Sequence, residues 1–465
     1  MYIEAGQLIY SPSDLTLYMD SPFASWMEHS MLINPELLSF VDSPDEMMVL
    51  LQRRGALHET EVLNSFLQKN LNVVQIAKGS SALQATLAAM QSGADVVYQA
   101  ALSLLPFTGY ADFLVKVEGK SSFGDFYYEV WDTKLAKTLK PYVVVQLCCY
   151  AEMLEALQGR RPTHIVAALG NGDNQRLLTN DYFYYYENLK LQFLSLHQNF
   201  SASNVPNPAD SNNWGRWSNY AEDLLKQADH LSLIATITKS QIKKLNKSGI
   251  YTVQEIIDTD LKVIKGINNE VLARLKTQAK IQKDSIGKDA PLYRILPHEL
   301  NKKTGLALLP PASSLDIYFD IEGFPLEDGG LEYLWGVSYF DQSGVLQYKD
   351  FWAHNKEEEK IAFKAFIDWA YDRWLQDPTM HIYHYANYEI TACRKLTGRY
   401  GICEYEVDQL LRNEVFIDLY KVVKGSLLLG EPRYSIKNVE RLYRDKRSTE
   451  VGSGGDSVEI GRAHV

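Results

Sequence analysis

The sequence predicts an α/β protein with more than one domain. Helical and strand-like spacing alternate in the order α, β-β-β, α, β over residues 1–200. A strand–strand–helix–strand order returns after residue 313. Between them lies a lysine-rich stretch of short helices and glycine turns. A chain of 465 residues exceeds one ordinary core, so several domains are expected.

Taken in order, Ser11-Pro12-Ser13-Asp14 offers a helix cap, and a helix over 11–30 carries Tyr18, Phe23 and Trp26. A second helix is predicted over 44–70, containing Arg53-Arg54-Gly55-Ala56-Leu57-His58-Glu59, and a third over 80–92. Strands follow at 95–100, 109–117 and 126–134, rich in Val, Tyr and Phe. Pro141 suits the first turn of a helix over 141–157. His164-Ile-Val-Ala-Ala-Leu169 reads as a buried strand. Residues 201–230 open on Ser, Asn and Pro and read as a linker.

Residues 231–285 read as a helical hairpin segment with turns at Lys247-Ser-Gly-Ile250 and Lys265-Gly-Ile267. From Lys239 to Lys283, nine lysines and Arg274 face four acids, a local excess of six positive charges. Such a segment fits sequence-independent phosphate contact, because hairpin glycines let backbone N–H groups approach an anion. After a second linker at 286–312, the last domain (313–459) opens with the strand Leu315–Gly323 and a second strand, Tyr333–Tyr339. A helix over 356–375 is spaced by Ile361, Phe363, Phe366, Ile367 and Ala370, and the strand His381–His384 follows.

Composition narrows the function classes. Apolar residues make up 46% and charged residues 23%, as in globular proteins. A net charge of -11 excludes a general polyanion binder, so a nucleic-acid surface has to be local. The four cysteines (Cys148, Cys149, Cys393 and Cys403) form no C-x-x-C pair, which supports neither a zinc knuckle nor a disulfide framework. No apolar run is long enough to span a bilayer, and Met1-Tyr-Ile-Glu4 lacks the regions of a signal peptide. A cytoplasmic protein without a membrane partner is expected.

The chemistry concentrates between Asp112 and Tyr150. Asp132 and Lys134, two apart on a strand, point to one face, and Asp112 lies on the strand before them. Gln146 and Tyr150, four apart, share a face of the next helix. Mg²⁺ takes one or two carboxylates plus water and phosphate, and a lysine beside them can hold the attacking water. His58 is a further candidate ligand. A second acidic pair, Asp320 and Glu322, ends an apolar strand, with Glu389, Asp418 and Asp456 as further acids. Carboxylates at i and i+2 supply half of a two-metal site.

Gly109-x-x-Asp112, Asp132-x-Lys134 and Gln146-x-x-x-Tyr150, with His58 upstream, resemble the RecB-like branch of the PD-(D/E)xK nucleases. The resemblance implies a restriction-endonuclease-like mixed sheet flanked by helices. It implies that Asp112, Asp132 and His58 bind Mg²⁺ or Mn²⁺, that Lys134 serves catalysis, and that Gln146 and Tyr150 line the DNA side. Many such relatives hold an iron–sulfur cluster through a Cys-Pro near the N-terminus and later cysteines. Here Ser21-Pro22 stands at the first place, and Asn212-Asn-Trp-Gly215-Arg-Trp217 carries no thiol, so no cluster is expected. Trp26, Trp214 and Trp217 are expected to tie these segments together instead.

Residues 313–459 resemble the RNase H-like fold of DnaQ-type 3′–5′ exonucleases, with Asp320 and Glu322 as the matching pair. The combination resembles one bacterial and archaeal family of nuclease-like proteins, some of which continue into a superfamily 1 helicase. A metal-dependent DNA nuclease in repair, recombination or defence is therefore expected. The competing readings are an exonuclease acting at Asp320 and Glu322, and a non-catalytic nucleic-acid-binding scaffold for a helicase. The apolar pattern fades after Leu442, and Ile460-Gly-Arg-Ala-His-Val465 looks like translated adapter DNA. The coding sequence is expected to be cut short, with 460–465 a non-biological tail.

Overall fold

The structure is a computed structural model that describes residues 1–43, 46–297, 303–325, 327 and 329–444. Asp456 and the 460–465 tail lie outside the described residues. The chain divides into two compact units, Met1–Leu225 and Lys226–Val465. Among the described residues no helix is long and apolar enough to cross a membrane.

Unit 1 opens with the hairpin β1 (Tyr2–Glu4) and β2 (Gln7–Ile9). The single helix expected over 11–30 is two, α1 (Pro12–Asp20) and α2 (Pro22–Ile33). Pro22 cannot continue α1, and Ser21 serves both ends, closing α1 and accepting from the Ala24 N–H to start α2. Then come α3 (Glu46–Gln68), β3 (Val73–Gln75), α4 (Ala82–Gln91), β4 (Val96–Leu104), β5 (Phe107–Ser121) and β6 (Gly124–Lys134). The unit continues through α5 (Pro141–Gln158), β7 (His164–Leu169), β8 (Asn174–Leu178), α6 (Asn180–Gln198) and α7 (Ser218–Gln227).

The sheet order is β3-β4-β5-β6-β7-β8, with β3/β4 and β6/β7 parallel and the other pairs antiparallel. Helix α5 is buried along its length in the main core, with α1, α4 and α6 around it. On the other face Phe66 of α3 packs on Phe113 and Trp131.

The 201–230 stretch, read as a linker, carries helix α7, and Trp217 is fully buried. Trp217 shares a core with Phe23, Trp26 and Met27, and Trp214 packs at its edge. The Trp217 indole donates to Glu28, which also accepts two hydrogen bonds from Arg216 at 2.8 and 2.6 Å. An aromatic core and one buried-edge carboxylate thus join α2 to the tail of the unit.

Unit 2 begins with a small helical core around Leu245, Ile256 and Leu272, built from α8 (Lys239–Asn246), α9 (Val253–Asp258) and α10 (Asn269–Ser285). Gly249 and Gly266 turn between these helices at φ 80° and 84°, a region that favours glycine. After β9 (Tyr293–Ile295) come β10 (Ile317–Phe324), β11 (Leu331–Phe340), β12 (Leu346–Trp352), α11 (Lys356–Gln376), β13 (Ile382–His384), α12 (Tyr388–Tyr400) and α13 (Glu404–Arg412). Then follow β14 (Phe416–Asp418), α14 (Leu419–Ser426) and β15 (Leu427–Leu429).

The five-stranded sheet has the order β12-β11-β10-β13-β14, an antiparallel meander extended by two parallel strands. Its core joins Ile317, Phe319 and Ile321 to Phe363, Phe366 and Ile367 of α11, with Leu396 and Leu410 from α12 and α13. Ile361, expected in that apolar stripe, is exposed.

Candidate active sites

In unit 1 β5 and β6 pair antiparallel with Phe113 opposite Trp131, which carries Asp112 to the stretch that holds Asp132 and Thr133. One Asp112 carboxylate oxygen accepts from both the backbone N–H and the hydroxyl of Thr133 at 2.7 Å. Asp132 is almost fully buried, and Lys134 Nζ stands 2.5 Å from its Oδ2. The Gln146 amide reaches Asp132 Oδ1 at 3.4 Å. Tyr150 is buried and donates to the Tyr110 carbonyl at 2.8 Å, so it ties α5 to β5 rather than lining a surface. Gly109 has a steric reason, since a Cβ there would stand 3.0 Å from the Tyr150 hydroxyl.

Two residues of this site escaped the sequence reading. Glu59 of α3 stands in the field of both Asp112 and Asp132. Gln99, between the pairs Tyr98–Phe113 and Ala100–Ala111, sits across from Asp112 with φ 54° and donates to Glu59. His58, the expected ligand, instead faces the Ala168 carbonyl at 3.2 Å and Glu61 at 3.7 Å. Adjacent helical residues point about 100° apart, so when α3 turns Glu59 toward the acids it turns His58 aside.

Burial, reinforced by Asp112 and Glu59 and opposed by Lys134, pushes Asp132 up to about 7. Burial alone would lower Lys134, but Asp132 beside it holds the ammonium above its usual value, so the acid is the partner that titrates. Burial and then Asp112 also raise Glu59. Asp112 and Glu59 both disfavour the ionised form of Asp132, and such a concentration of negative charge suits a cation. Asp112 and Asp132 match the donor set of Mg²⁺, which takes one or two carboxylates and fills the rest with water and phosphate. Among the described residues, no three His, Cys, Asp or Glu side chains stand close enough to hold a metal on their own.

In unit 2, Asp320 and Glu322 leave β10 on the same face, and Asp320 shares a hydrogen bond with Glu389 at the start of α12. Partial desolvation, then Glu389 and Glu322, push Asp320 up to about 6 although its side chain borders solvent. His384, not singled out from the sequence, is buried with Nδ1 3.3 Å from Glu389 Oε2, without aligned hydrogen-bond geometry. Gly323 leaves room for the Tyr388 hydroxyl, which donates to buried Glu332 at 2.7 Å. Asp418 behaves as a cap, accepting from the Ala386 and Tyr420 N–H groups at 3.0 Å. An acid at a strand end looks catalytic in sequence, but here the start of α14 claims it.

A family model described as the RNase_H superfamily matches residues 317–464. No curated protein matches the chain. The five-stranded sheet with α11 to α13 on one face is thus a C-terminal RNase H-like α/β domain in a mixed α/β chain.

Proposed function

We propose that the chain is a nuclease that hydrolyses phosphodiester bonds of DNA at the Asp112–Asp132–Lys134 group, with Mg²⁺ or Mn²⁺ as cofactor. The observation that carries this is the buried Asp132, paired with Lys134 at 2.5 Å and facing Asp112 and Glu59. Asp112 and Asp132 would hold the cation, which when bound would polarise the phosphoryl group and lower the pKa of water. Lys134 offers an ammonium to the developing charge or the attacking water, and Gln146 fixes Asp132 from the helix side. A cytoplasmic role in repair, recombination or defence, with a superfamily 1 helicase as partner, belongs to the same proposal. It rests on the RecB-like motifs.

The test is cleavage of linear duplex DNA with Mg²⁺. Wild-type protein should degrade it, and Lys134→Ala should lose about 10²- to 10³-fold in rate, the usual effect of removing one charge-stabilising group. Wild-type rates in Lys134→Ala would place the chemistry elsewhere. Salt-dependent binding with no hydrolysis in any metal would favour a scaffold.

A second reading has its own support. The RNase H-like domain carries Asp320 and Glu322 on one face of β10 with Glu389 beside Asp320, and burial, then the neighbouring acids, hold the Asp320 carboxyl above its usual range. We infer that this group is a second, 3′–5′ exonucleolytic site. Asp320→Asn should abolish end trimming and leave cleavage by unit 1 in place.

A further inference from the structure

The covered face of the unit 2 sheet packs on α11, α12 and α13, whereas the opposite face presents Tyr318, Tyr348 and Trp352 at 44%, 60% and 41% exposure. The strand register arranges that face in rows. Tyr348, Ser338, Tyr318 and Tyr383 lie side by side across β12, β11, β10 and β13. The next row is Asp350, Gly336 and Asp320, and the one after is Trp352, Leu334 and Glu322. Same-face neighbours along a strand are about 7 Å apart, so the aromatic row borders the carboxylates directly.

Two details make this more than a scatter of surface aromatics. Tyr383 stacks under Tyr318 with centroids 5.4 Å apart and planes at 21°, which holds the exposed ring in place. Tyr348 leans across β11 toward Asp320, into space that only glycine leaves open. A Cβ on Gly336 would stand 2.7 Å from its hydroxyl. Both rings are therefore presented in fixed orientations beside the acids.

We propose that Tyr318, backed by Tyr383, and Tyr348 form a stacking subsite for the bases of a single-stranded nucleic-acid end whose phosphodiester lies at Asp320, Glu322 and Glu389. The proposal rests on reading that carboxylate group as hydrolytic. Stacking on aromatic rings accepts any base, because every base has a π-face, and paired bases inside a duplex do not offer theirs. A protein helix laid on the same face would bury Asp320 and Asp350 with the tyrosines, and buried charges without partners are costly. A nucleic-acid strand covers the rings while its phosphates and any cation remain with the acids.

The experiment uses the full chain carrying Lys134→Ala, so that unit 1 does not contribute, and a fluorescein-labelled oligothymidylate of about a dozen nucleotides. Trimming with Mg²⁺ gives KM and kcat, and anisotropy with Ca²⁺ gives binding. Tyr318→Ala and Tyr348→Ala should each raise KM and weaken binding about 10-fold with little change in kcat, and Tyr318→Trp should restore both. Gly336→Ala should act like Tyr348→Ala by displacing that ring. Unchanged KM and binding in both alanine variants would overturn the proposal. So would a fall in thermal stability with oligonucleotide binding intact, which marks a protein-packing face. Equal trimming by the Lys134→Ala chain with and without Asp320→Asn would instead remove the hydrolytic reading beneath it.

Discussion

Asp132 and Asp320 are both acids on sheet strands, and both are raised above the usual carboxylate range. Their surroundings differ in one respect. Asp132 is buried with the Lys134 ammonium 2.5 Å away, so the group carries its own counter-charge. Asp320 borders solvent, and its strongest charged neighbours are other acids, Glu389 and Glu322. A pair with a built-in cation is held together by its charges, whereas a cluster of acids is held together despite them. The first arrangement positions an ammonium before any ligand arrives. The second stores repulsion that an incoming cation relieves.

The largest expected difference is catalytic. Lys134→Ala should cost the duplex cleavage proposed for unit 1 about 10²- to 10³-fold while Asp320→Asn leaves it unchanged, read from initial rates on one DNA substrate. Equal losses in both variants would mean that the sites are not independent. Next in size is the core that joins α2 to α7. Trp217→Ala opens a cavity in the α2–α7 core and should destabilise unit 1 by about 4 kcal/mol, lowering its thermal midpoint without touching oligonucleotide binding by unit 2.

The third difference concerns acid. His197 is buried against His29 (3.0 Å between the two Nδ1 atoms) and Ser25, with Asp14 and the N-terminal amine nearby. Burial, then His29, lower its pKa from 6.5 to about 4. The unfolded chain therefore binds more protons between those values. The stability this contributes is complete above pH 6.5 and is lost as pH falls toward 4. The loss should reach up to about 3 kcal/mol in unit 1, and His197→Gln should flatten that part of the stability–pH curve. A curve of unchanged slope would show that the histidine pair does not carry it.

The smallest effects are the sharpest test of the comparison, because they differ in sign. Asp132→Asn strands the Lys134 ammonium, which is 22% exposed, and should destabilise unit 1 by about 2 kcal/mol. Asp320→Asn removes repulsion among acids and should stabilise unit 2 by about 1 kcal/mol at neutral pH. Denaturant midpoints for the two variants read this directly. Shifts in the same direction would refute the distinction between a paired and a repelling site.

Much of unit 1 was legible because its signals are local. Pro141 does start α5, His164–Leu169 is a strand with the expected bounds, and the period of two puts Asp132 and Lys134 on one face. The break between α1 and α2 was also written in Ser21-Pro22, but the aromatic spacing on either side hid it. Residues 201–230 misled because Ser, Asn and Pro announce a loop and say nothing of where Trp217 will bury. In unit 2 the Asp320–Glu322 strand and the helix behind it were readable. The use of Asp418 as a helix cap was not, since capping depends on the chain direction after the strand.

By itself the sequence determined the α/β alternation, the strands that carry both acid pairs, and the proximity of Asp132 to Lys134, because each follows from spacing within one element. Only the tertiary structure decided that Glu59 rather than His58 faces Asp112 and Asp132, since that depends on how α3 is rotated against the sheet. It also decided that Glu389, with His384 behind it, meets Asp320, and that Tyr348 crosses Gly336 toward the same acid. These are meetings between elements far apart in the chain. Packing and strand register set them, and no local pattern encodes either.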